Sequence, residues 1–174
     1  MTSIRPAVVA DVAAIARVQV ATWRDTYRGI VPDAFLDAMR EEEWAARRRG
    51  NLEAPGKTTF VAEEGGSVVG FGSAGTPRDG PAGFDVELYA LYVVPGSQRR
   101  GLGRGLVRRL AGAQAGFGRL SLFLWVLRDN LKGRAFYEGL GGRVVDRKEM
   151  EIGGASLPEV ALGWPDIGAL LPPG

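Results

Sequence analysis

Residues 87–105 read Glu-Leu-Tyr-Ala-Leu-Tyr-Val-Val-Pro-Gly-Ser-Gln-Arg-Arg-Gly-Leu-Gly-Arg-Gly. The stretch begins as an apolar strand and turns at Pro95-Gly96. It then passes through a basic loop spaced by glycines and enters a helix at about Leu102. The first amides of a helix have no partner inside it and carry the positive end of its dipole. Glycines let an anion approach those amides, and flanking arginines add charge. The order strand, glycine loop, helix therefore predicts a site for a phosphate-bearing ligand at the end of a strand.

Working outward, the chain has 174 residues, 45% hydrophobic and 24% charged, which is the length and composition of one globular domain. No apolar run reaches the ~20 residues of a membrane span, and the start Met-Thr-Ser-Ile-Arg-Pro does not read as a secretory signal. A cytoplasmic location without membrane association is the expectation. The chain has no Cys, so disulfides and thiolate nucleophiles are excluded. It has no His, so Ser-His-Asp triads and His-based metal sites are excluded too, and no metal is expected. Acid–base work falls to Glu, Asp, Tyr, Lys or water. A net charge of +2 gives little reason to expect a nucleic-acid partner.

The periodicities predict a first strand over Ile4–Val9, then a helix capped by Asp11 and running to about Arg24. Pro32 opens a second helix with Phe35, Leu36 and Met39 on one face. Glu41-Glu42-Glu43 and Arg47-Arg48-Arg49 suit a helix dipole as a solvated face, with Gly50 as its stop. Strands follow at Thr58–Ala62 and Val68–Ser73, joined by a hairpin turn, and at Phe84–Val93 after a loop over 76–83. A helix over Leu102–Ala115 leads to a buried strand at Leu120–Val126. A short helix from Asn130 to Glu138 and a hairpin, Val144–Ile152 with Leu157–Leu162, complete the series. The result is a mixed α/β domain (α+β in its segregation) on one central sheet, residues 1–164, with 165–174 as a short, loosely packed tail.

Three readings of the loop compete. A P-loop needs Gly-Lys-Ser/Thr after its second glycine, and Gly101-Leu102-Gly103-Arg104 lacks it. A dinucleotide fingerprint needs glycine at 106, which is Leu. The third is Q/R-x-x-G-x-G/A, matched by Gln98-Arg99-Arg100-Gly101-Leu102-Gly103. With Leu91-Tyr92-Val93-Val94-Pro95 before it and an amphipathic helix after it, the chain resembles the GNAT superfamily of acyl-CoA-dependent N-acetyltransferases over residues 4 to about 163.

That resemblance implies a single, mostly antiparallel twisted sheet, splayed in the middle and flanked by helices, with acetyl-CoA as co-substrate. It implies that Gln98, Arg99, Arg100, Gly101, Leu102, Gly103 and Arg104 hold the cofactor pyrophosphate. It implies also that main-chain groups near Leu91, Tyr92 and Val93 pair with the pantetheine arm and the acetyl carbonyl. The segment Leu124 to Gly141 resembles the family's second motif, in which Asn130 opens the helix and Tyr137 faces the CoA sulfur as the acid. Asn130 is equally an N-cap and Tyr137 a core aromatic.

Acetyl transfer to an alkyl amine needs a base, because with a pKa of ~10.4 only roughly 0.04% is unprotonated at neutral pH. Period two along the strand places Glu87, Tyr89, Leu91 and Val93 on one face, with Phe84, Val86, Leu88, Ala90 and Tyr92 on the other. This makes Glu87 the candidate base, and a solvated or salt-bridged strand residue is its other reading. The family's acceptor site draws on the first helices and end strands. Trp23, Tyr27, Tyr89 and Trp125 are therefore candidates to line it, and aromatic packing is the alternative for each. The expected reaction is direct attack by a small-molecule amine in a ternary complex. A protein N-terminus or lysine as acceptor, or a non-catalytic acyl-CoA-binding module, are the alternatives. The terminal hairpin and sheet edge leave monomer and homodimer both open.

Overall fold

The computed structural model describes residues 1–52 and 54–172. Seven strands and five helices follow in the order β1 (Thr2–Pro6), α1 (Val12–Thr26), α2 (Asp33–Ala38), α3 (Glu41–Leu52), β2 (Thr58–Glu64), β3 (Ser67–Gly75), β4 (Val86–Val93), α4 (Leu102–Gly116), β5 (Leu122–Leu127), α5 (Leu131–Glu138), β6 (Arg143–Ile152) and β7 (Ala155–Trp164). The strands form one sheet ordered β1-β2-β3-β4-β5-β7-β6. Every neighbouring pair is antiparallel except β4 and β5, which the α4 crossover makes parallel. That parallel pair is registered only at Val86↔Leu122 and Glu87↔Phe123. Beyond these positions the two strands part, and the sheet opens at its centre.

α4 shows why the sequence builds this architecture. Leu102, Leu106, Val107, Leu110, Ala111 and Gln114 recur at helical spacing and are all buried. They cover one face of the sheet, where Val86, Leu88, Leu122, Leu124, Val160 and Leu162 close the main core. Leu110 is fully buried, so truncating it to alanine costs about 2–5 kcal/mol. Gly72 on β3 permits the approach, since a Cβ there would lie 2.7 Å from Leu110 Cδ1. On the opposite face α1 sets Ile15 and Val18 on Val61, Phe71 and Ala90. A third cluster joins α1 and α2 to the end of β5 and the β6–β7 hairpin through Val20, Leu36, Leu127 and Ile152. No helix is long and apolar enough to cross a membrane among the described residues.

Several boundaries differ from the sequence expectation for local reasons. Pro6 ends β1 early, and a 3-10 turn over Val9–Asp11 precedes α1. Asp11 does not cap α1 with its side chain. Its carboxylate takes the Val8 amide at 2.8 Å and both Arg5 Nη atoms at 2.8 and 2.9 Å. The Arg5 guanidinium holds the Asp11 carboxyl below its ordinary range. Met39 is extended and separates α2 from α3, which runs through Gly50 to Leu52. The segment after Trp164 is not a loose tail: Ile167 and Leu170 are buried in the main core, and the Ile167 amide donates to Leu120 O at 2.7 Å. Apolar residues three apart on a short 3-10 turn suffice to dock it.

Candidate active site

The β4–α4 loop is a row of open amides. A tight turn closes β4, with the Ser97 amide on Val94 O and the Gln98 amide on Pro95 O. The Gln98 side chain then turns back to donate to Val93 O at 2.8 Å. Arg99 follows at φ +60° and Gly101 at φ +83°, both left-handed, which aims successive N–H groups to one side. Among the described residues no backbone or side-chain acceptor meets the amides of Arg99 through Arg104. The N-terminus of α4 has no side-chain cap, so a concave set of donors sits at the positive end of a helix. Arg100 pairs with Glu64 at 3.1 Å, and the Ser97 hydroxyl and Arg100 together hold that carboxyl below its usual range. Arg99 and Arg104 are exposed and make no ion pair among the described residues. The Leu102 side chain belongs to the core, so only its amide is available. Gly103 lets the Phe136 ring of α5 approach, 3.3 Å from where its Cβ would stand.

The same orientation continues down β4. The Val94 amide bonds Val69 O across the antiparallel pair. The register Gly70↔Val93, Phe71↔Tyr92, Gly72↔Leu91 then makes Tyr92 and Ala90 the residues bonded to β3. Leu91 and Val93 therefore point their main-chain groups away from β3, into the opening left by β5. Across that opening Asn130 caps α5, its Oδ1 accepting the Gly133 amide at 3.0 Å. Gly133 is required there, because a Cβ would stand 2.5 Å from the Asn130 amide nitrogen. The Tyr137 ring packs edge-on against Phe136 at 5.1 Å. Burial pushes the Tyr137 phenol up, with Tyr92 adding to the effect. Burial likewise raises Tyr92 and Tyr27, and the Tyr27 hydroxyl lies beside Asn130. Tyr27, Tyr92 and Tyr137 are thus three phenols that burial keeps protonated.

Glu87 departs from its expected place. The register passes from Ser73↔Ala90 to Ala74↔Leu88, which leaves Tyr89 as the extra residue of a β-bulge. The bulge shifts the alternation by one residue. Leu91 and Val93 therefore share the α4 side with Val86 and Leu88, and Glu87 lies instead on the face of Ala90 and Tyr92. Its carboxylate is 2% exposed and is held by Arg78, through the amide at 2.8 Å, Nη2 at 2.6 Å and Nε at 3.3 Å. The salt-bridged reading of Glu87 is the one observed. The Tyr89 ring stacks under the Arg78 guanidinium at 4.7 Å and its hydroxyl donates to Thr76 O. Tyr89 braces the 76–83 loop rather than lining the opening.

That loop crosses the sheet. Asp79 pairs with Lys148 of β6 at 2.9 Å, and Lys148 stands 4.2 Å above the Trp125 ring. Trp23 packs on Tyr27 at 4.8 Å, on Phe35 at 6.1 Å and on Trp44 at 6.0 Å. Trp23 and Tyr27 are therefore helix-corner packing. Trp125 packs edge-on against Phe123 at 6.4 Å. Two groups went unread in the sequence. Glu159 of β7 sits opposite Leu127 with Lys148 Nζ 3.9 Å away, and desolvation raises its carboxyl. It was an acid inside the apolar alternation of Leu157–Leu162, which is the signal that marks it. Arg48, expected on a solvated face, turns inward, and its spacing of four from Trp44 was the available clue.

The model of the acetyltransferase (GNAT) family matches residues 19–141. The uncharacterized N-acetyltransferase YuaI of Bacillus subtilis (strain 168) is 38% identical over 175 residues, covering 98% of this chain and 96% of its own. In structure, PaiA N-acetyltransferase from Thermoplasma acidophilum, in complex with coenzyme A, is similar with a TM-score of 0.74. It shares 21% identity over 91% of this chain and 98% of its own. YncA from Salmonella typhimurium, with its cofactor acetyl-CoA, has a TM-score of 0.72 at 23% identity, over 94% and 93% of the two chains. With the open sheet, the amide-lined loop and these likenesses together, the chain belongs to the GNAT family of N-acetyltransferases.

Proposed function

We propose that this N-acetyltransferase moves the acetyl group of acetyl-CoA to the primary amine of a small molecule by direct attack in a ternary complex. The observation that carries this reading is the pair of main-chain donor sets facing the opening, the free amides of Arg99–Arg104 and the β4 groups of Val93 and Leu91 that turn away from β3. The loop amides, with Arg99 and Arg104, suit a pyrophosphate. The Leu91 and Val93 groups suit a peptide-like arm, and an amide there also suits negative charge developing on a carbonyl oxygen. Acetyl-CoA supplies the thioester. The amine nitrogen forms the new bond to the acetyl carbon as the carbon–sulfur bond breaks.

The nitrogen sheds two protons and the sulfur gains one, and these movements fall to side chains at the opening. Glu159, whose carboxyl burial has raised, accepts the ammonium proton. Tyr137, kept protonated by burial, donates its phenolic hydrogen to the departing sulfur and regains a proton from the second one that the nitrogen sheds as the amide forms. Glu87 holds Arg78 and so positions the 76–83 loop, in place of the base role expected from sequence. Support for a small acceptor comes from that loop: the Asp79–Lys148 pair and Gly80, set against the Phe123 ring, roof the acceptor side. The test is thiol release from acetyl-CoA over a panel of small amines and lysine-bearing peptides. Turnover of free amines in preference to peptides is expected. Turnover of peptides alone contradicts the small-molecule reading, and acetyl-CoA binding with no release on any amine contradicts catalysis.

A further inference from the structure

Arg48 is a half-buried cation without an anion among the described residues. A guanidinium cannot shed its proton, and burying it unpaired is costly. On α3 it turns under α1, with Nε on Gln19 Oε1 at 2.8 Å and its guanidinium 5.0 Å from the Phe71 ring centre. Desolvation lowers its pKa, opposed by the nearby Tyr92 hydroxyl. Among the described residues no carboxylate lies within ion-pair distance of Arg48, and its Nη atoms donate to no side chain or carbonyl. The charge of its neighbour Arg78 is already matched by Glu87.

More donors converge on the same spot. The Trp23 indole N–H is buried without an acceptor and lies toward the Tyr92 hydroxyl. Thr22 Oγ1, one residue before, is also buried without a partner. Guanidinium and indole N–H therefore converge on the Tyr92 hydroxyl, whose oxygen is the single acceptor facing both. On the β7 side of the same opening stands Glu159, with Lys148 shared to Asp79. The rings of Trp23, Tyr27, Phe35 and Trp44 pack on the cluster that joins α1 and α2 to the end of β5, next to Glu159's pairing partner Leu127.

We infer that the acceptor is an amine that also carries a carboxylate. Arg48, Trp23 and Tyr92 hold the carboxylate, the ammonium points to Glu159, and an apolar body rests on the aromatic wall. The inference rests on the acetyl-transfer reading and narrows its substrate class to amino-acid-like molecules. Such a carboxylate supplies the acceptor that the Arg48 Nη atoms lack, and a bidentate fork fits it.

Matched pairs differing only in the carboxylate test it: leucine and isoamylamine, phenylalanine and phenethylamine, γ-aminobutyrate and propylamine. In thiol release, the carboxylate-bearing member of at least one pair is expected to be preferred about tenfold or more in kcat/KM, the scale of a hydrogen-bonded charge. That preference should fall to near parity in Arg48→Gln and shrink severalfold in Trp23→Phe, with acetyl-CoA binding heat retained in both as the check on folding. Parity in the wild-type protein, or a preference that survives Arg48→Gln, overturns the inference and leaves acetyl transfer standing. If no pair turns over, tryptophan fluorescence decides. Saturable quenching by leucine in the wild type and its loss in Arg48→Gln support the inference, and no saturable quenching overturns it. Failure of the wild-type chain to bind acetyl-CoA contradicts the underlying reading instead.

Discussion

The two sides of the opened sheet are built from different materials. On the α4 side the candidate site is main chain: the amides of Arg99–Arg104 and the groups of Leu91 and Val93. On the α1–α3 side it is side chain: Trp23, Tyr27, Arg48, Tyr92 and Glu159, drawn from α1, the turn after it, α3, β4 and β7. A main-chain site depends on backbone conformation, and so on a few glycines and a helix start within one short stretch. A side-chain site depends on tertiary packing, where one substitution changes the chemistry and leaves the fold alone. The first suits an invariant ligand and the second a ligand that differs between relatives.

Substitutions at the meeting point of the two sides should have the largest effects. Tyr137→Phe keeps the ring packing on Phe136 and removes only the phenol. It should lower kcat by about a hundredfold or more while changing acetyl-CoA affinity little, as steady-state kinetics and calorimetry can separate. An equal loss of binding would place Tyr137 in the cofactor site alone.

Next comes Glu159→Gln, with a loss of about a hundredfold in kcat. A base must be deprotonated, so wild-type turnover should climb as pH rises through a pKa that burial has lifted above the usual glutamate range. The variant should lack that limb. Stability has the opposite sign. A carboxyl with a raised folded-state pKa stabilises the fold at acid pH, and this contribution is lost as pH rises through that pKa. Glu159→Gln should therefore melt higher than the wild type at about pH 8 and show no advantage at about pH 4. Glu87→Gln should cost less activity and leave the acidic limb in place. The reverse ranking of the two carboxylates would return the base role to Glu87.

Smaller effects belong to the main-chain side. Nothing stands within 4 Å of a Cβ at Gly101, so Gly101→Val tests conformation alone. The left-handed φ costs about 1–2 kcal/mol, and acetyl-CoA affinity should fall about tenfold as the loop relaxes. Arg104→Ala, which removes an exposed charge and no amide, should cost about threefold, less at high salt. A larger loss at Arg104 than at Gly101 would make the cradle a matter of charge rather than backbone.

This contrast also explains what the sequence disclosed. The β4–α4 loop was legible because glycine spacing, strand and helix start are adjacent in the chain, and Asn130 was legible as a cap three residues before Gly133. The opening between β4 and β5 followed from the family resemblance. Strand periodicity misplaced Glu87 because a bulge at Tyr89 leaves no mark in an apolar run. Arg48 was hidden in a run of three arginines, of which the fold turns one inward. Glu159 became visible only when β7 paired with β5. Ile167 and Leu170 looked like a tail because docking onto a core is not a local property.

The central claim is that the main-chain cradle binds acetyl-CoA. Calorimetric titration of the wild-type chain with acetyl-CoA tests it most directly. The account predicts saturable binding at a single site per chain, weakened about tenfold by Gly101→Val. No binding, or binding indifferent to Gly101→Val, would contradict it.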